Sequence, residues 1–381
     1  MGGMIGPTIA IDAMGADHSP EEIVRGAARL SLESDVDVLL VGDEPEITRI
    51  LAGTRHNPER LAVHHSSQVI SRDEAPSDGY PRKPDASIAV AARLVSQGRA
   101  DALVSGGNIG ACILACKEHL ALAPGIEKPA LSSVFATRER RGEKEDPFSL
   151  ILDTGAGLEA SADDLVSFAK MGAAYARVIS RNERPRVALL SSGMERGLGP
   201  PEVEEAHLRL QQLPGIEFLG KIEGKAIPEG GADVVVTSGF VGNVALRMLE
   251  GVSETVLELA RYAYKERLIW RLGLTMLSGG ISRLKKVTDW EQYGGAPILG
   301  YEKVVIKVHG GAKAQTIVNA GKIAAKAVAA GVPSIIGSPW ETAVLEPAHG
   351  EPAQGEAVAG EGELGLAREA LDRRRLASAG G

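Results

Sequence analysis

Six glycine-containing segments, each placed directly after an apolar run typical of a buried strand, carry most of the side chains that could do chemistry. In residues 104–116, VSGGNIGACILAC, such a run ends in Ser105, two glycines and Asn108, and a helical pattern follows. Glycine lets a backbone approach a ligand closely, and a helix N-terminus presents free N–H groups to an anion. Converging segments of this kind predict a phosphate or carboxylate site. The other five segments are residues 12–19, 153–160, 191–200, 237–245 and 307–314.

Three side chains at the ends of these runs are the candidates for catalysis. Lys307 and His309 lie two residues apart, so on an extended chain they point to the same side. Lys307 would neutralise phosphate, His309 would supply a proton, and Asn108 would add a donor beside the glycines. The further candidates for phosphate or substrate binding are Asp12, Gly15, His18, Ser105, Gly106, Gly107, Gly110, Asp153, Gly242 and Asn243.

Structural interpretations of the same residues stay open at this point. Asp12 and Asp153 can cap or orient loops, and Asn108 can occupy a left-handed turn position. His309 can be a buried structural histidine.

Cys112 and Cys116, four residues apart on the predicted helix, also have two interpretations. A thiol in the first turn has its pKa lowered by the helix dipole, which suits a nucleophile. We favour packing, because the two cysteines share one helix face and no histidine lies nearby in the sequence. Two cysteines cannot form a disulfide framework or a four-ligand zinc site, and we expect neither a metal nor a cofactor. The glycine spacing matches neither a Walker loop nor a dinucleotide-binding fingerprint.

Apolar strand-like runs alternate with helical patterns along most of the chain. This rhythm predicts an α/β protein with a large, mostly parallel sheet and flanking helices. We expect one α/β domain over residues 1–338 and a flexible Gly/Ala/Glu-rich tail over 339–381. A net charge of -8 argues against a nucleic-acid binder. With no signal-peptide pattern and no apolar run of about 18 residues, we expect a cytoplasmic location.

Residues 265–290 form a basic, amphipathic segment in an otherwise acidic chain. Two central glycines predict a protruding helical hairpin. Such a segment suits a membrane interface or an acidic partner, and packing on a second copy of the chain is an equal alternative. The residues expected to make these contacts are Arg267, Trp270, Arg271, Leu272, Lys285 and Lys286.

Seven motifs occur in one order over about residues 8–330, and together they resemble the PlsX family of phosphate acyltransferases. The resemblance implies transfer of a fatty acyl group from acyl-acyl-carrier-protein to inorganic phosphate, which gives acyl phosphate for phospholipid synthesis. It also implies a fold like the isocitrate and isopropylmalate dehydrogenases and a homodimer. Contact with the inner face of the membrane is expected from the basic segment and fits this family. The motifs are IAIDAMGADHSPEEIVRGA, SGGNIGA, GIEKPAL, LDTGAGLEA, GFVGNVALRMLEG, YGGAPILG and VIKVHG.

The chain departs from the usual family motifs at four polar places, Pro200, Ser238, Gly311 and Ala312. These changes keep two alternatives open. One is a phosphate acyltransferase that uses another acyl thioester, and the other is a weakly active relative that binds carrier protein or membrane. A decarboxylating dehydrogenase of the same fold would need a cluster of metal-binding aspartates, which the sequence does not display.

Overall fold

The computed structural model describes residues 6–18, 20–141, 146–195, 197, 199–266 and 294–340. In this part of the chain eleven strands form one sheet. The strands are β1 (Thr8–Asp12), β2 (Asp37–Gly42), β3 (Leu61–His65), β4 (Ala102–Ser105), β5 (Ala130–Arg141), β6 (Asp146–Leu152), β7 (Arg186–Leu190), β8 (Glu217–Ile222), β9 (Val234–Val236), β10 (Ala296–Leu299) and β11 (Val304–Lys307).

Helices connect most of these strands. They are α1 (Glu21–Glu33), α2 (Glu44–Ala52), α3 (Pro76–Arg82), α4 (Ser87–Ser96), α5 (Ile109–His119), α6 (Ala162–Ser180), α7 (Pro201–Leu210), α8 (Ala226–Glu229), α9 (Gly239–Glu266), α10 (Ala314–Ala329) and α11 (Val332–Gly337).

The sheet has the order β3-β2-β1-β4-β11-β10-β5-β6-β9-β7-β8. Seven of the ten pairings among the described strands are parallel, and the three antiparallel ones join β11, β10, β5 and β6 at the centre. The predicted large, mostly parallel α/β sheet is therefore confirmed. Because the central strands alternate in direction, β1, β4 and β11 run opposite to β6, β7 and β9.

Helices cover both faces of the sheet, as the alternation along β1 shows. Ile9 and Ile11 belong to a core cluster with residues of α1 and α10, whereas Ala10 packs in a second cluster with residues of α4 and α5. Ile9 and Ile11 are fully buried, and each contributes about 1.5–3 kcal/mol of transfer free energy. This packing holds the ends of the strands in fixed positions.

Two of the predicted regions lie mostly outside the described residues: the basic hairpin, of which residues 267–290 are not described, and the tail from residue 341 onward. The helix α9 leads into the first of these and ends at Glu266. Among the described residues no helix is both long enough and apolar enough to cross a membrane.

Candidate functional site

The ends of three neighbouring strands bring Asp12, Ser105 and Lys307 side by side; we call these three residues the strand-end row. Asp12 pairs in register with Ser105, and Lys307 pairs with Ser105 from the other side. Residues in register on parallel strands point to the same face of a sheet. The row therefore faces α4 and α5, as do the buried residues two positions earlier, Ala10, Leu103 and Val305.

Asp12 is the centre of a buried hydrogen-bond network. The hydroxyl of Ser87, at the start of α4, donates to Asp12 Oδ1 over 2.6 Å, and the hydroxyl of Ser105 donates to Oδ2 over 2.7 Å. The Ser105 oxygen in turn accepts the N–H of Gly107 at 3.1 Å. Asp12 is 2% exposed, so its carboxylate depends on these donors. Asp12 thus fixes the geometry of the glycine loop, and the Gly107 N–H is already occupied.

Gly15, in the loop after β1, and Gly106, in the loop after β4, allow these two loops to pack closely on each other. A Cβ added at Gly15 would lie 2.7 Å from the Cα of Gly107, and one at Gly106 would lie 2.9 Å from the Cβ of Ala16. Contacts below 3.0 Å would force one of the segments to move. These glycines therefore press the loop after β1 against the loop after β4.

Asn108 caps α5 and fastens a third segment to it. Its Oδ1 accepts the N–H of Ala111 at 3.2 Å. Its Nδ2 lies 3.2, 3.4 and 3.0 Å from the carbonyl oxygens of Ser71, Arg72 and Glu74. Since both ends of the amide are engaged, Asn108 acts in this structure as a positioning residue for the start of α5 and for the segment that precedes α3.

The first turn of α5 still offers donors to an anion. In the described part of the chain, the backbone N–H groups of Ile109 and Gly110 donate to no acceptor. A Cβ added at Gly110 would lie 2.5 Å from Cγ of Pro76, so this glycine also permits close contact with α3. Of the backbone donors expected to bind an anion over residues 105–110, two N–H groups at a helix N-terminus are thus the ones that remain available.

Lys307 and His309 lie beside the start of α5, and both have a pKa below the usual value. Burial lowers the pKa of Lys307 to about 8. Burial, then the charges of Arg247, Lys307 and Arg72, lower the pKa of His309 below its usual value, so its ring is neutral at pH 7. His309 Nδ1 accepts the N–H of Gly311 at 3.1 Å, which assigns the ring proton to Nε2. His309 is thus a hydrogen-bond donor, and Lys307 is the group able to release a proton near neutral pH.

Two arginines that the sequence did not indicate contribute to this cationic region. Arg72 approaches from the segment before α3 and forms an ion pair with Asp17. Arg247 lies on α9, and its charge lowers the pKa of both Lys307 and His309. No motif marks Arg72, because its partner Asp17 lies 55 positions away. Arg247 lies within the motif GFVGNVALRMLEG and forms an ion pair with Glu250 at 2.9 Å, but only the fold brings it near Lys307 and His309.

Asp153 organises the loop that follows β6. Its carboxylate accepts four backbone N–H groups at 2.8–3.0 Å, and burial raises its pKa while these hydrogen bonds lower it. In this structure Asp153 shapes its loop. The four donors are Leu131, Gly155, Ala156 and Gly157.

The start of α9 packs directly on this loop. A Cβ added at Gly242 would lie 1.9 Å from the carbonyl oxygen of Asp153, so only glycine fits there. Asn243 is exposed, and its Cγ would lie 3.8 Å from a Cβ added at Gly155. Asn243 is one helical turn from Arg247, so α9 links this loop to the cationic region.

The remaining sequence candidates lie at the edges of the site. His18 is exposed, and its charge contributes to the low pKa of Asp17. Cys112 and Cys116 are free and fully buried among apolar residues. The hydrogen bond between the Cys116 thiol and Cys112, and then burial, raise the pKa of Cys116, which matches two packing residues.

The four departures from the family motifs are spread over the structure. Gly311 and Ala312 follow His309, and Ala312 is fully buried. Ser238 precedes α9 and accepts the N–H of Gly242 at its carbonyl. Pro200 is exposed at the start of α7. Only the first two therefore adjoin the strand-end row.

Six residues expected to contact membrane or carrier protein lie outside the described residues: Arg267, Trp270, Arg271, Leu272, Lys285 and Lys286. Within the described residues no group of three or more His, Cys, Asp or Glu side chains could hold a metal ion.

Comparison with known proteins identifies the family of this chain. The chain matches the family of fatty acid synthesis proteins over residues 7–335. It is 39% identical over 324 residues to the phosphate acyltransferase of Desulfitobacterium hafniense (strain Y51), covering 85% of this chain and 94% of the relative. It is also 39% identical over 315 residues to the phosphate acyltransferase of Myxococcus xanthus (strain DK1622), covering 82% and 87%.

Two solved structures share the fold. A phosphotransacetylase from Streptococcus pyogenes superposes with a TM-score of 0.58 and 18% identity, covering 85% of this chain and 94% of that one. The EutD phosphotransacetylase from Staphylococcus aureus gives a TM-score of 0.54 and 16% identity, covering 84% and 94%. At these identities the likeness concerns the fold alone.

Proposed function

This chain belongs to the PlsX family of phosphate acyltransferases, and we propose that it transfers a fatty acyl group from acyl-acyl-carrier-protein to inorganic phosphate. Family membership supports acyl transfer to phosphate. The observation that supports a site is the position of Lys307, in the strand-end row, and of His309, two residues later, beside the first turn of α5. The product would be an acyl phosphate, a precursor for phospholipid synthesis.

The first task of such a site is to bind a dianion and aim one of its oxygens. The N–H groups of Ile109 and Gly110, at the positive end of the α5 dipole, suit two phosphate oxygens. Lys307 supplies the compensating charge, and the Nε2–H of His309 supplies a further donor. Holding the nucleophile against the carbonyl removes the entropy cost of their encounter.

The chemical step then needs little proton transfer from the acceptor. An unprotonated phosphate oxygen attacks the thioester carbon, and a tetrahedral oxyanion forms. Fixed donors stabilise this charge. The C–S bond breaks, its electron pair goes to sulfur, and the thiolate accepts a proton from Lys307. Because the pKa of Lys307 is about 8, it is close to the pKa of about 8.5 of an ordinary thiol.

The remaining expectations concern the surroundings of the site. We expect a cytoplasmic homodimer whose basic segment, residues 265–290, meets the acidic carrier protein or the inner face of the membrane. The long helix α9 supports an interface, because large apolar side chains are exposed along it. They include Val241, Val244, Met248, Val252 and Leu259.

The assay for this proposal is acyl phosphate formation, trapped with hydroxylamine. The protein is incubated with phosphate and with either acyl-acyl-carrier-protein or acyl-coenzyme A of the same chain length. The proposal predicts a larger kcat/KM with the carrier-protein donor. Product with coenzyme A donors alone would favour the alternative donor. Retained binding of carrier protein without product from any donor would favour a weakly active relative.

A further inference from the structure

From the position of one arginine that the sequence analysis did not select, we infer that Arg72 binds the inorganic phosphate with the Nε–Nη2 edge of its guanidinium. The inference deepens the proposed function and rests on it for the identity of the acceptor. It concerns a residue of this chain outside the strand-end row.

Contacts from three segments fix where Arg72 stands. Its backbone carbonyl accepts a hydrogen bond from Asn108, the cap of α5. Its Nη1 donates to Asp17 Oδ1 over 2.6 Å. A Cβ added at Gly310 would lie 2.6 Å from Nη1 and 3.1 Å from Nε, so the guanidinium lies against this glycine, directly after His309. Arg72 thus joins the loop after β1, the start of α5 and the end of β11.

Asp17 contacts one side of the Arg72 guanidinium, and the Nε–Nη2 edge remains available for a ligand. Asp17 engages Nη1, whereas Nε and Nη2 of Arg72 donate to no acceptor in the described part of the chain. Two parallel N–H groups on one edge match two oxygens of a phosphate, and such bidentate pairs add geometric specificity to charge. The Arg72 side chain is 49% exposed, so solvent and a small anion reach it.

The local charge also favours an anion. Arg72 shares this region with Lys307 and Arg247, since both arginines lower the pKa of Lys307. Asp17 forms an ion pair with Arg72 and Glu250 forms one with Arg247, so these two carboxylates offset part of this positive charge. The absence of a side chain at Gly310 is what allows the guanidinium to lie so close to His309, which links Arg72 to the reacting groups.

The test is phosphate affinity in the full chain, measured by calorimetry with inorganic phosphate and by KM for phosphate in the hydroxylamine assay. We expect Arg72→Ala to raise the dissociation constant about tenfold, which corresponds to ~1.4 kcal/mol. Arg72→Lys keeps the charge but not the two parallel N–H donors. Its phosphate affinity should therefore lie between those of the unmodified chain and of Arg72→Ala. Added guanidinium ion should partly restore Arg72→Ala, and an equal concentration of sodium chloride should not.

Arg25→Ala is the matched control. Arg25 is 51% exposed and forms an ion pair with Glu21 at 2.7 Å on α1, so it resembles Arg72 in exposure and pairing but lies outside the site. Its phosphate affinity should equal that of the unmodified chain. A dissociation constant for Arg72→Ala within twofold of the unmodified chain, or a rise only in KM for the acyl donor, overturns the inference.

The two proposals can fail separately. If phosphate binding depends on Arg72 but no donor yields acyl phosphate, the proposed function is wrong and the phosphate site stands. If Arg72→Ala forms acyl phosphate with an unchanged KM for phosphate, the function stands and the inference about Arg72 is wrong.

Discussion

Replacing Ser105 by alanine removes the link between the buried carboxylate of Asp12 and the glycine loop. The hydroxyl of Ser105 donates to Asp12 over 2.7 Å and accepts the N–H of Gly107 at 3.1 Å. One of these hydrogen bonds is to a charged group, and both are buried. Their loss should lower the free energy of unfolding by about 2–4 kcal/mol. A loop displacement of about 1 Å can cost ~100-fold in rate, so kcat/KM should fall by about 10- to 100-fold.

Urea unfolding gives the stability change, and hydroxylamine trapping of acyl phosphate gives the rate. Ser31→Ala is the matched control, because the Ser31 hydroxyl is also buried, donates to Ala28 O over 2.7 Å and accepts the N–H of Asn57 at 3.0 Å. Two neutral bonds are lost there, for about 1–3 kcal/mol, and activity should stay unchanged. Equal activity in Ser105→Ala and Ser31→Ala would refute the role of the Asp12 network in the site.

Three further perturbations test other parts of the site. Asp153→Asn places an amide NH₂ among four backbone donors, so the free energy of unfolding should fall by about 1–3 kcal/mol; an unchanged urea midpoint would contradict this role. As pH rises through about 8, Lys307 loses its proton, and kcat/KM for phosphate should fall. In Lys307→Arg this fall of kcat/KM with pH should be absent. If the variant keeps it, the fall belongs to another group. Over the same range, from about 8 to 10.5, the unfolded chain binds more protons at this lysine, so its contribution to stability becomes more favourable. Cys112→Ala should leave the rate of hydroxylamine-trapped product unchanged, and an inactive variant would revive a covalent thioester route.

Local sequence patterns were sufficient to predict the strand ends and the start of α5. They did not predict that Asn108 caps this helix, and its φ of -57° is not the left-handed conformation considered above. Ser105 and Asn108 follow a buried run and precede a helical pattern, so their neighbourhood is determined within a few residues. The mostly parallel sheet followed from the same alternation of strands and helices. Strand β10 is not predicted, because Gly294, Gly295 and Pro297 interrupt its pattern and only tertiary pairing makes it a strand.

Contacts between distant segments could not be predicted in this way. Ser87 reaches Asp12 across 75 positions, and Arg72 reaches Asp17 across 55. The glycines of the anion loop suggested a row of free donors. The structure instead uses Gly107 for close packing and for a hydrogen bond to Ser105, because three loops meet there.

We propose above that phosphate binds where the start of α5 meets the end of β11. The most direct test is a crystal structure of the full chain with inorganic phosphate. We expect a phosphate whose oxygens lie within hydrogen-bond distance of the N–H groups of Ile109 and Gly110 and of Lys307. A phosphate ordered elsewhere, with these groups contacting only water, would contradict it.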